Sequence, residues 1–405
     1  LRVCAAKHTA QVSMMSLNTA RLLPLKSRFT GFFAFLLLTA CQPAEDSNTT
    51  LMQRAQHSAS AASQLAALRL ANGEYDAALY WFRHAALQGD RRALQHALQL
   101  QQREQGRLAT AQWLQQQLDS KAILPATLSH AQRAELGLWP QARQAVGTGY
   151  HASAGCALTL QPVASQQGGV SQWQQLQQQW QQDAQLSQLA VCFKPLLTVN
   201  ATELRCTEQP SERVQCDYPV LNDLVAGADF SQLLIIAGRG KASYNNGILQ
   251  LPDNATLALL RHEFMHVLGF IDEYPLAEAA AATVCQPGAQ YPNVLLTEDT
   301  GAYLQRWQLD GSSIVLTPVA SCQQLNRQAY RVVAEDNLMR FYELGLPPLY
   351  LVLAKQVLAQ PEQLMPVQYY FAYLARQQQN WPQWQQFMQQ ASALGYAEAQ
   401  QALAP

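Results

Sequence analysis

His262 and His266 stand four residues apart with Glu263 directly after the first, and this spacing constrains the chain more than any other feature of it. On a helix, residues four apart point from one face, so both imidazoles can hold one zinc ion while Glu263 activates a water. Leu257, Leu260, Phe264, Val267 and Leu268 recur at helical spacing, and Thr256 or Asn254 can cap the start. The segment therefore reads as a half-buried helix. Gly269 can end it in a left-handed turn, after which the chain can fold back and offer Asp272 as a third ligand. Three protein ligands leave a fourth position open, which separates a catalytic zinc from a structural one. Glu273 is the alternative third ligand; otherwise it would hydrogen-bond a ligand histidine. The plainer alternative is a pair of satisfied core histidines. The expected stoichiometry is one Zn2+ per chain.

In the form HExxHxxGxxD, residues 262–272 resemble the metzincin motif of snapalysin-type enzymes, where Asp replaces the usual third His. The continuation Asp272-Glu273-Tyr274 is similar to that of the bacterial IgA peptidase family. The resemblance spans roughly residues 150 to 345. It implies a zincin-like catalytic domain, with a mixed sheet and the HExxH helix, and zinc-dependent endopeptidase activity on a peptide or protein substrate. It also implies a methionine turn beneath the metal. Asn337-Leu338-Met339-Arg340 matches that turn best and makes Met339 the floor residue. Relatives carry a tyrosine two positions after this Met to support the transition state. Here Phe341 takes that place and Tyr342 follows, so Tyr342 departs from the pattern.

Upstream of the helix, Leu233-Leu234-Ile235-Ile236-Ala237 reads as a buried strand. The Gly/Asn-rich segment after it, including Tyr244, Asn245, Asn246 and Gly247, falls where metzincins carry an edge strand along the cleft. A substrate could add there as an antiparallel strand, or the segment is a plain hairpin loop. Trp173, Leu176 and Trp180 recur at i, i+3 and i+7 in a Gln-rich stretch. They read as the buried stripe of a helix, with an aromatic sugar-binding platform as the alternative.

Residues 29–38 are almost wholly apolar and follow Arg21, Lys26 and Arg28, the pattern of a secretory signal. At about ten residues the run is half of the roughly twenty that a membrane-spanning helix needs. It ends in Leu38-Thr39-Ala40-Cys41, which resembles a bacterial lipobox and implies lipidation at Cys41. Gln42 after the cysteine points to the outer membrane of a bacterial cell envelope, with the lipid as the sole membrane attachment. Residues 1–13 precede Met14 and Met15 and read as upstream of the true start.

With Cys41 set aside for lipid, the six cysteines at 156, 192, 206, 216, 285 and 322 suit disulfides in an oxidising compartment. Six cysteines allow fifteen pairings. Cys206 and Cys216 flank a polar, Pro-containing stretch, and Cys285 and Cys322 bracket the insert between the zinc motif and Met339. Cys156 and Cys192 remain. A net charge of −1 gives no electrostatic case for nucleic acid.

The expected fold class is α+β, in four parts: the leader (1–41), a helical region (42–148), the zinc domain (149–346) and a helical tail (347–405). Residues 52–146 read as helices throughout. Within them, the run from Tyr75 to Asp90 resembles a Sel1-like or tetratricopeptide repeat. A related phrase, Ala391-Ser392-Ala393-Leu394-Gly395, returns near the other end, and such repeats could engage a protein partner. Two rival functions stay open: an inactive helical-repeat lipoprotein serving as a binding scaffold, and a zinc hydrolase of non-peptide envelope bonds. Labelled fatty acid should enter the wild-type protein and not Cys41→Ser; equal labelling of both removes the lipid anchor.

Overall fold

The computed structural model describes residues 44–141 and 143–404. The expected leader and Cys41 lie outside the described residues. The chain divides into two compact units. The first, Leu1–Gln53, is described only through part of the helix Ala44–Ala55 (α1). The second, Arg54–Pro405, carries every feature below.

An N-terminal helical segment opens this unit: α2 (Ala59–Ala71), α3 (Tyr75–Leu87) and α4 (Arg91–Asp119). Ala62, Ala66, Ala78 and Ala85 are fully buried, so α2 and α3 approach closely, and Leu65 and Phe82 fill the space between. Gly89, at φ +95°, turns the chain into α4, whose first amides donate to the Asp90 carboxylate. Gly106 breaks the regular path of α4 at φ 87° and ψ 170°. Next to it, the Arg107 side chain is 6% exposed. Its Nε donates to Glu208 at 2.7 Å, and a second guanidinium nitrogen pairs with Asp253, four residues before the zinc-motif helix. This buried triad ties the helical segment to the sheet domain.

The sheet has seven strands: β1 (Arg143–Val146), β2 (Leu158–Ala164), β3 (Val191–Phe193), β4 (Leu196–Val199), β5 (Gln232–Ile236), β6 (Ser243–Asn245) and β7 (Ile248–Leu251). Their order is β1-β4-β2-β5-β7-β6, with β3 also pairing β2. The central β2, β5 and β7 run parallel, while β1 and β6 are antiparallel edges. β5 is buried at every residue, as expected of a parallel strand covered on both faces. Leu234 and Ile236 face α5 (Gln167–Gln182), α6 (Leu257–Val267) and α7 (Pro348–Leu358). Leu233 and Ile235 face α8 (Val367–Gln377) and α9 (Trp381–Ala393).

The stripe Trp173, Leu176 and Trp180 of α5 is core, at most 1% exposed. The Trp180 ring meets Phe193 of β3 and Phe264 of α6 edge-on at 5.2 and 4.9 Å. Such pairs add about 0.5–1.5 kcal/mol each beyond their buried area, and here they fix the zinc-motif helix against the sheet. The turn between β6 and β7 uses left-handed Asn246 (φ 51°) and Gly247 (φ 78°), the Asn-Gly pairing of a tight hairpin. A Cβ on Gly247 would lie 2.4 Å from the Val367 backbone nitrogen, so this hairpin tip is seated directly on the start of α8.

The expectation of helix throughout residues 52–146 needs correction at its end. Residues 143–146 form β1, paired antiparallel with β4. An open strand edge offered backbone partners, and that pairing overrode a sequence with little strand propensity of its own.

All six cysteines of the folded part are paired, as Cys156–Cys192, Cys206–Cys216 and Cys285–Cys322. Disulfides of this number suit an extracytoplasmic protein. No helix among the described residues is long and apolar enough to cross a membrane.

Arg107→Ala would leave Glu208 and Asp253 facing each other half-buried without their cation. Urea denaturation should show a loss of about 3 kcal/mol, and a change near zero would mean the triad holds nothing together.

Candidate metal centre

The helix carrying the zinc motif, α6, begins where the Leu259 amide donates to the Thr256 hydroxyl at 3.2 Å. It ends at Gly269, left-handed at φ +78°. There the Gly269 amide donates to His266 O and the Phe270 amide to Met265 O, both at 3.0 Å, closing a Schellman turn. Phe270 follows fully buried, which pulls the chain back under the helix.

That reversal brings Asp272 to the two imidazoles. Its Oδ1 lies 3.4 Å from His262 Nε2 and 3.2 Å from His266 Nε2. The other nitrogen of each ring is committed: His262 Nδ1 donates to Leu338 O at 2.9 Å, and His266 Nδ1 to Phe270 O at 2.8 Å. A carbonyl can only accept, so both Nδ1 atoms carry the hydrogen and both Nε2 lone pairs face Asp272. Asp272 Oδ1 is itself a buried oxygen with no hydrogen-bond partner. Three acceptor atoms converging on one point require a cation between them, either a proton or a metal ion. Two nitrogens and one oxygen are the donor set that zinc takes in open catalytic sites, so these residues fit the ion.

Electrostatics agree with that reading. Burial lowers His262, and the neighbouring His266 lowers it further. Burial also works against a charged His266, but the close approach and charge of Asp272, with Glu263, outweigh it and push His266 up to about 9. Asp272 is disfavoured by burial yet held below the ordinary carboxylate range, chiefly by His266. Beside them, burial pushes Glu263 up to about 7, with His266 and Arg213 pulling it back and Asp272 adding to the rise.

Glu273 points elsewhere. Its Oε1 accepts from Asn293 Nδ2 at 3.1 Å and Tyr350 OH at 2.6 Å, and its Oε2 from Asn337 Nδ2 at 2.9 Å. Its amide donates to Met339 O at 2.9 Å. It joins neither the metal-facing group nor a ligand histidine, so Asp272 alone stands with the two imidazoles. Met339 is fully buried, and its neighbour Leu338 supplies the carbonyl that orients His262. Tyr342 is 42% exposed.

Tyr244 and Asn245 lie on β6, the free edge of the sheet, next to α6. Gly247 does not share that freedom. It is buried in the turn, and its carbonyl already accepts from the Leu233 amide at 2.9 Å. Edge pairing is thus confined to residues 243–245.

Several contributors were invisible in the sequence. Asn293 bridges Ile271 and Glu273, Tyr350 reaches in from α7, and the Phe270 carbonyl holds His266. Only Asn337 carried a signal, since it opens the segment matched to the methionine turn. A second group of potential ligand atoms, His151, Cys156 and Cys192, also exists among the described residues. Its two sulfurs are spent in a disulfide. No family model matches the chain, and a search of curated proteins finds no relative.

For the metal-free protein the pH dependence follows from two raised groups, His266 at about 9 and Glu263 at about 7. Both bind protons more tightly folded than unfolded, so their contribution is complete at low pH and is lost as pH rises through those values. The Glu263 share is lost as pH rises to about 7 and the His266 share between its ordinary value and about 9. Stability in chelator should therefore still be falling up to about pH 9, with the His266 step on the order of 3 kcal/mol. Added zinc should remove that slope. A flat profile in chelator contradicts the converging-acceptor geometry.

Proposed function

We propose that the chain is an extracytoplasmic zinc-dependent endopeptidase of metzincin-like design. The observation that carries the proposal is the convergence of His262 Nε2, His266 Nε2 and the unpartnered Asp272 Oδ1 beside a buried Glu263. A bound zinc would supply Lewis acidity to a water and to the scissile carbonyl.

The chain's own residues do the rest. The Leu338 and Phe270 carbonyls hold both ligand rings in the tautomer that leaves Nε2 unprotonated. Glu263, raised toward neutrality by burial, is suited to take a proton from water and return it to the leaving amine. Residues 243–245 of β6 offer an unpaired strand edge next to α6, where an extended peptide can hydrogen-bond through its backbone. Met339 is buried next to Leu338, whose carbonyl holds His262, which supports its reading as the floor residue; exposed Tyr342 is assigned no role. Attachment to the outer membrane through Cys41 completes the proposal and rests on the sequence pattern alone. The three disulfides support an extracytoplasmic location.

Three variants test this. Glu263→Gln should keep one zinc per chain by elemental analysis and lose turnover by about two to four orders of magnitude, the usual reach of a general base. Asp272→Ala should lose metal affinity. Glu273→Gln should lower thermal stability with metal content intact. Loss of zinc from Glu273→Gln and its full retention in Asp272→Ala would reverse the ligand assignment. Full activity in Glu263→Gln would remove the mechanism.

A further inference from the structure

Beside the metal-facing group lies a cleft of about 770 Å³. Three segments wall it: the tail of the zinc motif at Tyr274, the chain just after Met339 at Arg340 and Phe341, and the disulfide-linked insert at Gln323, Asn326 and Arg327. Tyr274 joins the cleft to the metal site: it lines the cleft, and burial with the nearby Asp272 carboxylate raises its phenol.

We propose that this cleft is a recognition subsite for an acidic side chain of the substrate, making the enzyme selective for acidic peptide segments. The proposal rests on the peptidase reading and adds the substrate class. Its basis is the charge of the lining. Glu273 is the sole carboxylate among the lining residues, and both its oxygens are turned inward to Asn293, Asn337 and Tyr350. Arg340 pairs with Asp336 at 2.7 Å, but Asp336 is shared with the buried Arg331, also at 2.7 Å. Arg331 in turn lies 3.8 Å from Glu273. Three guanidiniums, with Arg327, thus face two carboxylates, leaving one positive charge in excess at the cleft.

Donors are also in surplus. Each guanidinium has five N–H groups. Arg327 spends one on the Cys285 carbonyl, and Arg340 one on Asp336. Phe341 is 48% exposed and lies under the Arg340 guanidinium at 5.1 Å, which holds that head at the wall. A carboxylate entering the cleft would meet planar donor forks and neutral amides of Gln323 and Asn326, with no free carboxylate to repel it.

The test uses full-length Glu263→Gln protein loaded with zinc, so that binding is read without turnover. Short acetylated peptides carrying Glu, Gln or Lys at one scanned position are titrated by calorimetry. The Glu peptide should bind roughly tenfold or more tightly than its Gln counterpart at one position, as charge-assisted hydrogen bonds allow. Lys should bind weakest. Arg340→Gln, at an exposed position, should cut the preference several-fold with unchanged melting and zinc content, and adding Arg327→Gln should abolish it. Equal binding of Glu and Gln peptides at every position overturns the proposal, as does a preference untouched by both substitutions. The same peptides given to wild-type enzyme separate the two levels. Chelator-sensitive cleavage without acidic preference overturns the subsite alone. Absence of any such cleavage overturns the peptidase reading and the subsite with it.

Discussion

The buried carboxylate of Glu273 holds together the parts of this molecule that sequence keeps apart. Removing a carboxylate from water is costly unless donors replace the lost hydration. Here the donors come from three places: Asn293 in the insert, Asn337 before Met339, and Tyr350 on α7. The backbone amide of Glu273 adds the Met339 carbonyl. Four chain segments therefore have a single low-energy arrangement, and the metal-facing residues inherit it. Asp272 is adjacent to the anchor, and Leu338, which orients His262, sits between two of its partners. The carboxylate that looked like a rival ligand is what keeps the real candidate in place.

Local spacing made much of the site legible. Histidines four positions apart, a threonine cap and a glycine stop are all short-range signals, and each is realised in α6 and its ends. The tryptophan stripe of α5 and the apolar run of β5 were readable for the same reason, since their periods are set by backbone geometry. The cysteines offered bracketing arguments that coincide with the three bridges formed. What escaped was everything decided by distant partners. Arg143 to Val146 became a strand because β4 had an open edge. Asp272 and Glu273 are equivalent to any spacing rule, and only the three-dimensional supply of donors separates them. Gly247 read as part of a substrate edge, yet Val367, more than a hundred residues later, covers it.

The two helical flanks illustrate a related point about cores. A parallel sheet needs cover on both faces; residues 149–346 supply the long helices α5 and α6 on one side and only short pieces, such as Leu221, Val225 and Phe230, on the other. The opposite face is closed by α8 and α9, whose Phe371 and Phe387 are fully buried against it. The N-terminal helices attach differently, through the charged Arg107 triad next to the start of α6. Apolar area secures the C-terminal flank, while the N-terminal one joins through this triad and a smaller apolar contact at Ala134 and Trp139.

The seating of Gly247 on Val367 also bears on how the molecule is made. The Leu233 amide bonds the Gly247 carbonyl, and the Val367 amide bonds the Ser231 carbonyl at 2.8 Å, so the end of the central strand is finished only by the last part of the chain. Contacts this far apart in sequence form late, because loop closure must come before any gain from them. A polypeptide delivered from its N-terminus can build α2 to α4 early from neighbouring residues. One face of its sheet must then wait, only partly covered by residues such as Leu221 and Val225, for residues beyond 367. Until they arrive, that apolar surface is the part of the half-made protein most exposed to association with other unfinished chains.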